Sequence, residues 1–183
     1  MKFIETNLKG CYLIEPKVIE DGRGYFMEAF HHQKFYENTG IQSHFVQDNQ
    51  SHSKYGVVRG LHIQKGEFAQ AKLVRVLYGK ILDVAVDVRK NSPTFGQHFS
   101  VKLSSENKKQ LYIPKGFLHG FSVLSDEATV LYKCDAFYDK ASEDGVHPLD
   151  IDLNIDWKIP EEQMIISDKD KNAQAFSNLK IES

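Results

Sequence analysis

Cysteine is scarce in this 183-residue chain: Cys11 and Cys134 are the whole complement, too few for a disulfide scaffold. No apolar run approaches the roughly 20 residues that cross a bilayer. The opening residues Met1-Lys2-Phe3-Ile4-Glu5 lack the apolar core of a secretion signal. A cytoplasmic protein with no membrane partner is therefore expected. Positive charge is not in surplus either. Twenty-three Lys and Arg face 25 Asp and Glu, for a net charge of −2, so no nucleic-acid partner is expected, because gripping a phosphate backbone needs a basic excess. Internal repeats, low-complexity tracts and linker-like stretches are missing, which points to one domain over residues 1–183.

What the chain has is short alternating segments. Hydrophobic residues make up 41% and charged residues 26%, the balance of an ordinary globular protein. Cys11–Glu15 and Tyr25–Phe30 read as strands joined by the polar turn Glu20–Gly24, and His32–Asn38 reads as a short helix that Gly40 ends. Ala71–Tyr78 and Lys80–Arg89 suggest a hairpin about Gly79, with Leu82, Val84, Val86 and Val88 on one face. Phe99, Val101 and Leu103 mark a further strand, and Phe117, His119, Phe121 and Val123 share a face of the next. Thr129–Tyr138 would be a long strand that turns Tyr132 and Tyr138 to the same side. From Asp139 onward the chain reads as polar and irregular, apart from Trp157. Many short strands with one or two short helices predict an all-β fold, a double-sheet jelly-roll barrel with a ligand cavity between inward-facing side chains.

Gly56–Gln64 is the centre of the pattern. Val57, Arg59, Leu61 and Ile63 alternate, and Gly60 interrupts them. A strand-interior glycine often marks a β-bulge, which adds one residue to the period of two. With a bulge, Arg59 and His62 face the same cavity; without one, they point to opposite faces. Gly56, His62, Gln64, Glu67 and Gly79 resemble the first cupin motif, and Pro114, Gly116 and His119 the second. A metal-binding cupin needs a histidine where Gln64 stands, and an amide is a poor transition-metal ligand, so no metal is expected. The plain alternative is that His62 and His119 are hydrogen-bonded core histidines.

A closer resemblance is carried by a series of segments. Gln47-Asp48-Asn49-Gln50-Ser51, Val57–Gln64 and Lys72-Leu73-Val74-Arg75-Val76 come first. Asp87-Val88-Arg89, Ser92-Pro93-Thr94-Phe95-Gly96, Ile113–Phe121 and Tyr132-Lys133 follow in order. Together they resemble the dTDP-4-dehydrorhamnose 3,5-epimerase family, from about Gly10 to Asp170. The chain departs from the family at Pro148-Leu149-Asp150-Ile151, where many members read Trp-Asn-Asp-Pro.

The resemblance implies a cofactor-free isomerase acting on dTDP-4-dehydro-6-deoxy-D-glucose, whose C4 ketone makes the C3 and C5 hydrogens acidic. His62 would be the base with Asp170 behind it, Tyr132 the proton donor on the other face, and Lys72 the support of the enolate oxygen. Substrate binding would fall to Arg23, Phe26, Glu28, Gln47, Asn49, Arg59, His119, Tyr138, Glu143 and Lys169. The family also implies a homodimer that exchanges N-terminal strands. Two other readings stay open: a single-centre epimerase at C3 or C5, and a non-catalytic sugar-binding cupin. Taken singly, Lys72 could be a solvated strand lysine, Tyr132 a core aromatic, and Arg23 and Glu28 ordinary turn and edge charges.

Overall fold

A computed structural model describes residues 1–180, so 181–183 of the expected domain lie outside the described residues. The strands of the N-terminal half are β1 (Lys2–Glu5), β2 (Tyr12–Glu15), β3 (Val18–Asp21), β4 (Gly24–Met27), β5 (Gln47–Lys54), β6 (Val57–Gln64) and β7 (Lys72–Tyr78). Those that follow are β8 (Lys80–Asp87), β9 (His98–Ser104), β10 (Gln110–Ile113), β11 (Phe117–Val123), β12 (Glu127–Cys134), β13 (Glu143–Gly145) and β14 (Ile165–Ile166). Two short helices, α1 (His32–Thr39) and α2 (Asp168–Lys171), accompany them. As expected, Gly40 ends α1 in the left-handed conformation, its N–H donating to the Tyr36 carbonyl.

One sheet runs β1-β2-β10-β7-β12-β5, and the other β13-β6-β11-β8-β9 with β14 beside β6. From β5 to β8, and again from β9 to β12, each new strand joins the opposite sheet, so the expected jelly roll is the fold. The expected hairpin about Gly79 does not form, because β7 and β8 lie in different sheets. One residue is too short to close a hairpin, which needs at least two. Gly79 instead turns a corner at φ 77°, pressed against the backbone of Glu127. The N-terminal pairing differs as well: β4 pairs with β3, and β2 joins β10. Pro16, with no N–H for a ladder, ends β2 and lets the chain start the separate β3–β4 ribbon.

Between the sheets lies an apolar interior that includes Val74, Val76, Leu111, Phe117, Phe121 and Val130. Leu82, Val84, Val86 and Val88 do share a face, but it is the outer one, covered by the segment the sequence reads as irregular. Val146, Leu153 and Trp157 from that segment are buried there, so both faces of β8 are shielded from water. Trp157 donates its indole N–H to the Pro148 carbonyl at 2.7 Å, and Leu149 packs into the same cluster. The family departure at 148–151 therefore sits in this outer cover. On the outer side of the first sheet, Phe35 of α1 packs with Leu73 and Tyr112.

Asp87, at the end of β8, organises the turn into β9. Its carboxylate accepts from Arg89 Nε at 2.9 Å and Nη2 at 2.6 Å, and from the hydroxyls of Ser92 at 2.5 Å and Thr94 at 2.6 Å. Burial works against the charge, but these hydrogen bonds outweigh it and hold the carboxyl at about 2. A depressed carboxyl stabilises the fold above the ordinary carboxylate range, and the contribution is lost as pH falls toward the folded value. Asp87→Asn is thus expected to lower the unfolding free energy by about 2 kcal/mol at neutral pH. Urea unfolding at a series of pH values should show the gap to wild type closing between about pH 4 and pH 2.

Candidate active site

The β6–β11 register places the catalytic candidates. His119 lies opposite His62, and Phe121 opposite Arg59, so three steps on β6 match two on β11. That is the expected bulge. Gly60 adopts φ 109°, and a Cβ there would meet the His119 carbonyl oxygen at 2.6 Å. The extra residue turns Arg59 and His62 to one side, and both line a cavity of about 530 Å³. Lys72 and Tyr132 line it from the first sheet, His119 from β11, and Lys169 and Asp170 from α2. A wider cleft of about 1160 Å³ contains Lys9, Lys65, Arg89 and Lys90 in its lining but no imidazole, phenol or carboxylate, so it has no base paired with a carboxylate as His62 is with Asp170.

Asp170 reaches His62 across 108 positions of sequence. Ser167 caps the short turn of α2 by accepting from the Asp170 N–H at 3.1 Å. The Asp170 carboxylate then stands 2.6 Å from His62 Nε2 and accepts the Gly60 N–H at 3.3 Å. Burial raises the Asp170 carboxyl, but the hydrogen bonds from His62 and the Gly60 N–H more than offset this and hold it below its ordinary value. An ionised carboxylate on Nε2–H leaves Nδ1 as the basic nitrogen of a neutral imidazole.

The facing wall carries the complementary groups. Burial pushes the Tyr132 phenol up, reinforced by Cys134 and opposed by Arg59, so it keeps its proton at neutral pH. Lys72 Nζ lies 6.0 Å from the centre of the Tyr132 ring. Burial pulls the Lys72 ammonium down, against the favourable charges of Cys134, Asp83 and Glu143.

At the rim, Glu143 accepts from Tyr138 Oη at 3.0 Å and pairs with Lys169 at 2.7 Å. Gln47 accepts the Tyr138 N–H at 3.0 Å and donates to Asn49 at 3.0 Å. Tyr138 does not share a strand with Tyr132, because β12 ends at Cys134 and Tyr138 reaches the rim from the following loop. Arg23, Phe26 and Glu28 do not line the cavity. Arg23 is paired with Asp21, Glu28 with Lys34, and Phe26 is 70% exposed.

Gln64 is buried, with its amide donating to the carbonyls of Phe68 and Phe137 and accepting the Asp139 N–H. It ties three loop positions together where a metal-binding cupin has a ligand. Among the described residues, no group of three or more His, Cys, Asp or Glu is arranged to hold a metal ion. One residue behind the cavity wall escaped the sequence reading: Asp83, fully buried, lies 2.8 Å from Nε2 of the wall residue His119. An acidic residue within the apolar run Ile81–Val88 was the available signal.

The model of the family described as dTDP-4-dehydrorhamnose 3,5-epimerase matches residues 5–178. The crystal structure of dTDP-4-dehydrorhamnose 3,5-epimerase from Elizabethkingia anophelis is 60% identical, with a TM-score of 0.94 and 97% of each chain covered. A dTDP-6-deoxy-D-glucose-3,5-epimerase from Legionella pneumophila, solved in complex with dTDP-4-keto-L-rhamnose, is 48% identical with a TM-score of 0.93. The match covers 98% of this chain and 94% of that one. The dTDP-4-dehydrorhamnose 3,5-epimerase of Shigella flexneri is 51% identical over 176 residues, 96% of each chain. By its sequence, its sheets and the site between them, the chain belongs to the dTDP-4-dehydrorhamnose 3,5-epimerase family.

Proposed function

We propose that the protein epimerises dTDP-4-dehydro-6-deoxy-D-glucose at C3 and C5, giving dTDP-4-dehydro-L-rhamnose. The observation that carries this reading is a carboxylate-backed imidazole on one sheet facing a phenol and a lysine amine on the other. Inversion next to a ketone needs a base on one face, a proton donor on the opposite face and positive charge near the enolate oxygen. His62 with Asp170 supplies the first, Tyr132 the second and Lys72 the third. A positioned acid or base contributes roughly 10²–10⁴ in rate, and an enolate-stabilising donor roughly 10²–10³.

Arg59 and Lys169, on the cavity wall, suit the diphosphate, since a guanidinium grips phosphate oxygens through two hydrogen bonds. Gln47, Asn49, Tyr138 and Glu143 at the rim suit the nucleoside, with His119 contacting the sugar. Arg23, Phe26 and Glu28 fit this scheme in a homodimer. The β3–β4 ribbon holds Ile19, Tyr25 and Phe26 out in solvent, at 55%, 55% and 70% exposure, and a second copy could receive it. Each ribbon would then complete the nucleotide site of the other subunit.

The test is incubation with dTDP-4-dehydro-6-deoxy-D-glucose in deuterated water. The expected result is deuterium at both C3 and C5 of an L-configured product. Label at one carbon alone would make the protein a single-centre epimerase. Absence of label, with folded protein, would leave only the sugar-binding reading.

A further inference from the structure

Asp83 is 0% exposed, and only one of its carboxylate oxygens is engaged. Oδ1 lies 2.8 Å from His119 Nε2, whereas Oδ2 has no hydrogen-bond partner among the described residues. Burying a carboxylate is costly, and an apolar residue of similar volume would often serve the fold better. Its neighbours on the inward face of β8, Ile81 and Ala85, are such residues. The acid's one contact leads to a histidine on the cavity wall. In the β6–β11 register that histidine is directly opposite His62. Two imidazoles thus stand side by side, each with Nε2 on a buried carboxylate, Asp170 behind one and Asp83 behind the other.

We propose that Asp83 is a positioning residue, holding His119 as the neutral Nε2–H tautomer so that its bare Nδ1 meets a hydroxyl of the sugar as a hydrogen-bond acceptor. The inference rests on the epimerase reading of the cavity. His119 Nδ1 makes no hydrogen bond within the protein among the described residues, so it is available to a ligand. The groups facing His119 are Asp83 from β8, His62 from β6 and Lys72 from β7. Burial disfavours the imidazolium, as do Lys72 and His62 whenever they carry positive charge; Asp83 alone favours it, and the balance lies below the ordinary histidine value. A bare nitrogen repels an enolate oxygen. His119 therefore sorts the sugar's oxygens: it accepts from a hydroxyl and leaves the developing negative charge to Lys72.

Two measurements decide it. In protein labelled with ¹⁵N-histidine, with His119→Ala to assign the signal, His119 should show the neutral Nε2–H pattern near neutral pH. An Nδ1–H or doubly protonated ring would overturn the proposal, and this reading needs no Asp83 variant to fold. In kinetics, Asp83→Asn should lower kcat/KM by about tenfold to a hundredfold, the range for a hydrogen bond to a charged partner. The double variant D83N/H119A should be no slower than H119A alone, because Asp83 acts only through His119. Losses that multiply would assign Asp83 a merely structural part and overturn the proposal. Failure of the epimerase reading itself would appear separately, as wild-type protein that incorporates no deuterium while its His119 tautomer is still read by NMR.

Discussion

His62→Asn is expected to abolish deuterium incorporation at both C3 and C5, a loss of at least about 10²–10⁴ in exchange rate. The substitution separates chemistry from structure. Asparagine is too short to replace Nε2 at Asp170, but the carboxylate keeps the Gly60 N–H, so it is not left without a partner. What asparagine lacks is a nitrogen that can take a proton from carbon, since an amide nitrogen is not basic. His62 is also part-exposed, with 32% of its side chain accessible, so no large cavity opens in the core. Thermal unfolding should stay within a few degrees of wild type, and bound dTDP should still protect the protein. Exchange at the wild-type rate in a folded variant would remove His62 as the base and return it to the role of a hydrogen-bonded wall residue. Because one imidazole serves both carbons in the proposed scheme, label should vanish from both together. Loss at one carbon alone would mean that a second base works at the other.

The parts of this site that could be read from sequence are those set by neighbours along the chain. Gly60 in a β-branched run predicts a bulge because it breaks a period-two pattern locally, and the register shift between β6 and β11 lies there. Gly40 is legible as a helix stop for the same reason. The corner at Gly79 was not, because alternation looks identical whether the next strand pairs with the last or crosses to the opposite sheet. That Leu82–Val88 turns its shared face outward was not legible, because a strand buried on both sides carries no polar face to orient it. Its cover comes from residues 146–157, whose few apolar side chains are too irregularly spaced to announce a packing surface. Asp170 is the clearest case of a fact no spacing could provide. It was assigned from family resemblance, and its 2.6 Å approach to His62 depends on β14 lying beside β6, which carries the following turn of α2 to the bulge. Asp83 went unread since strand periodicity, used to find the core, treats an acid among valines as an interruption rather than as a group with a partner.

Tyr132→Phe is expected to separate proton removal from inversion. His62 and Tyr132 stand on opposite sheets, so deleting the phenol leaves the base on its own face of the sugar untouched. The carbanion still forms and is still steadied by Lys72, but the face toward the first sheet has lost its proton donor. A deuteron picked up by the His62 side then returns from the face it left, and the recovered starting sugar gains label without changing configuration. Inversion should fall by about 10²–10⁴, while label in unconverted substrate falls much less. The phenylalanine ring keeps the packing that Tyr132 makes against the interior and beneath Lys72, which makes a folding explanation easy to exclude by thermal unfolding. Product configuration by NMR and label in recovered substrate by mass spectrometry give the two rates from one reaction. Wild-type inversion would eliminate Tyr132 as the donor. Equal loss of both rates would place it in proton removal or enolate stabilisation instead. Burial adds a condition on pH: a phenol whose pKa is raised stays protonated further into the alkaline range than free tyrosine. The wild-type excess of inversion over wash-in should therefore persist at mildly alkaline pH, because Tyr132, the proposed donor of the second proton, still holds its proton there.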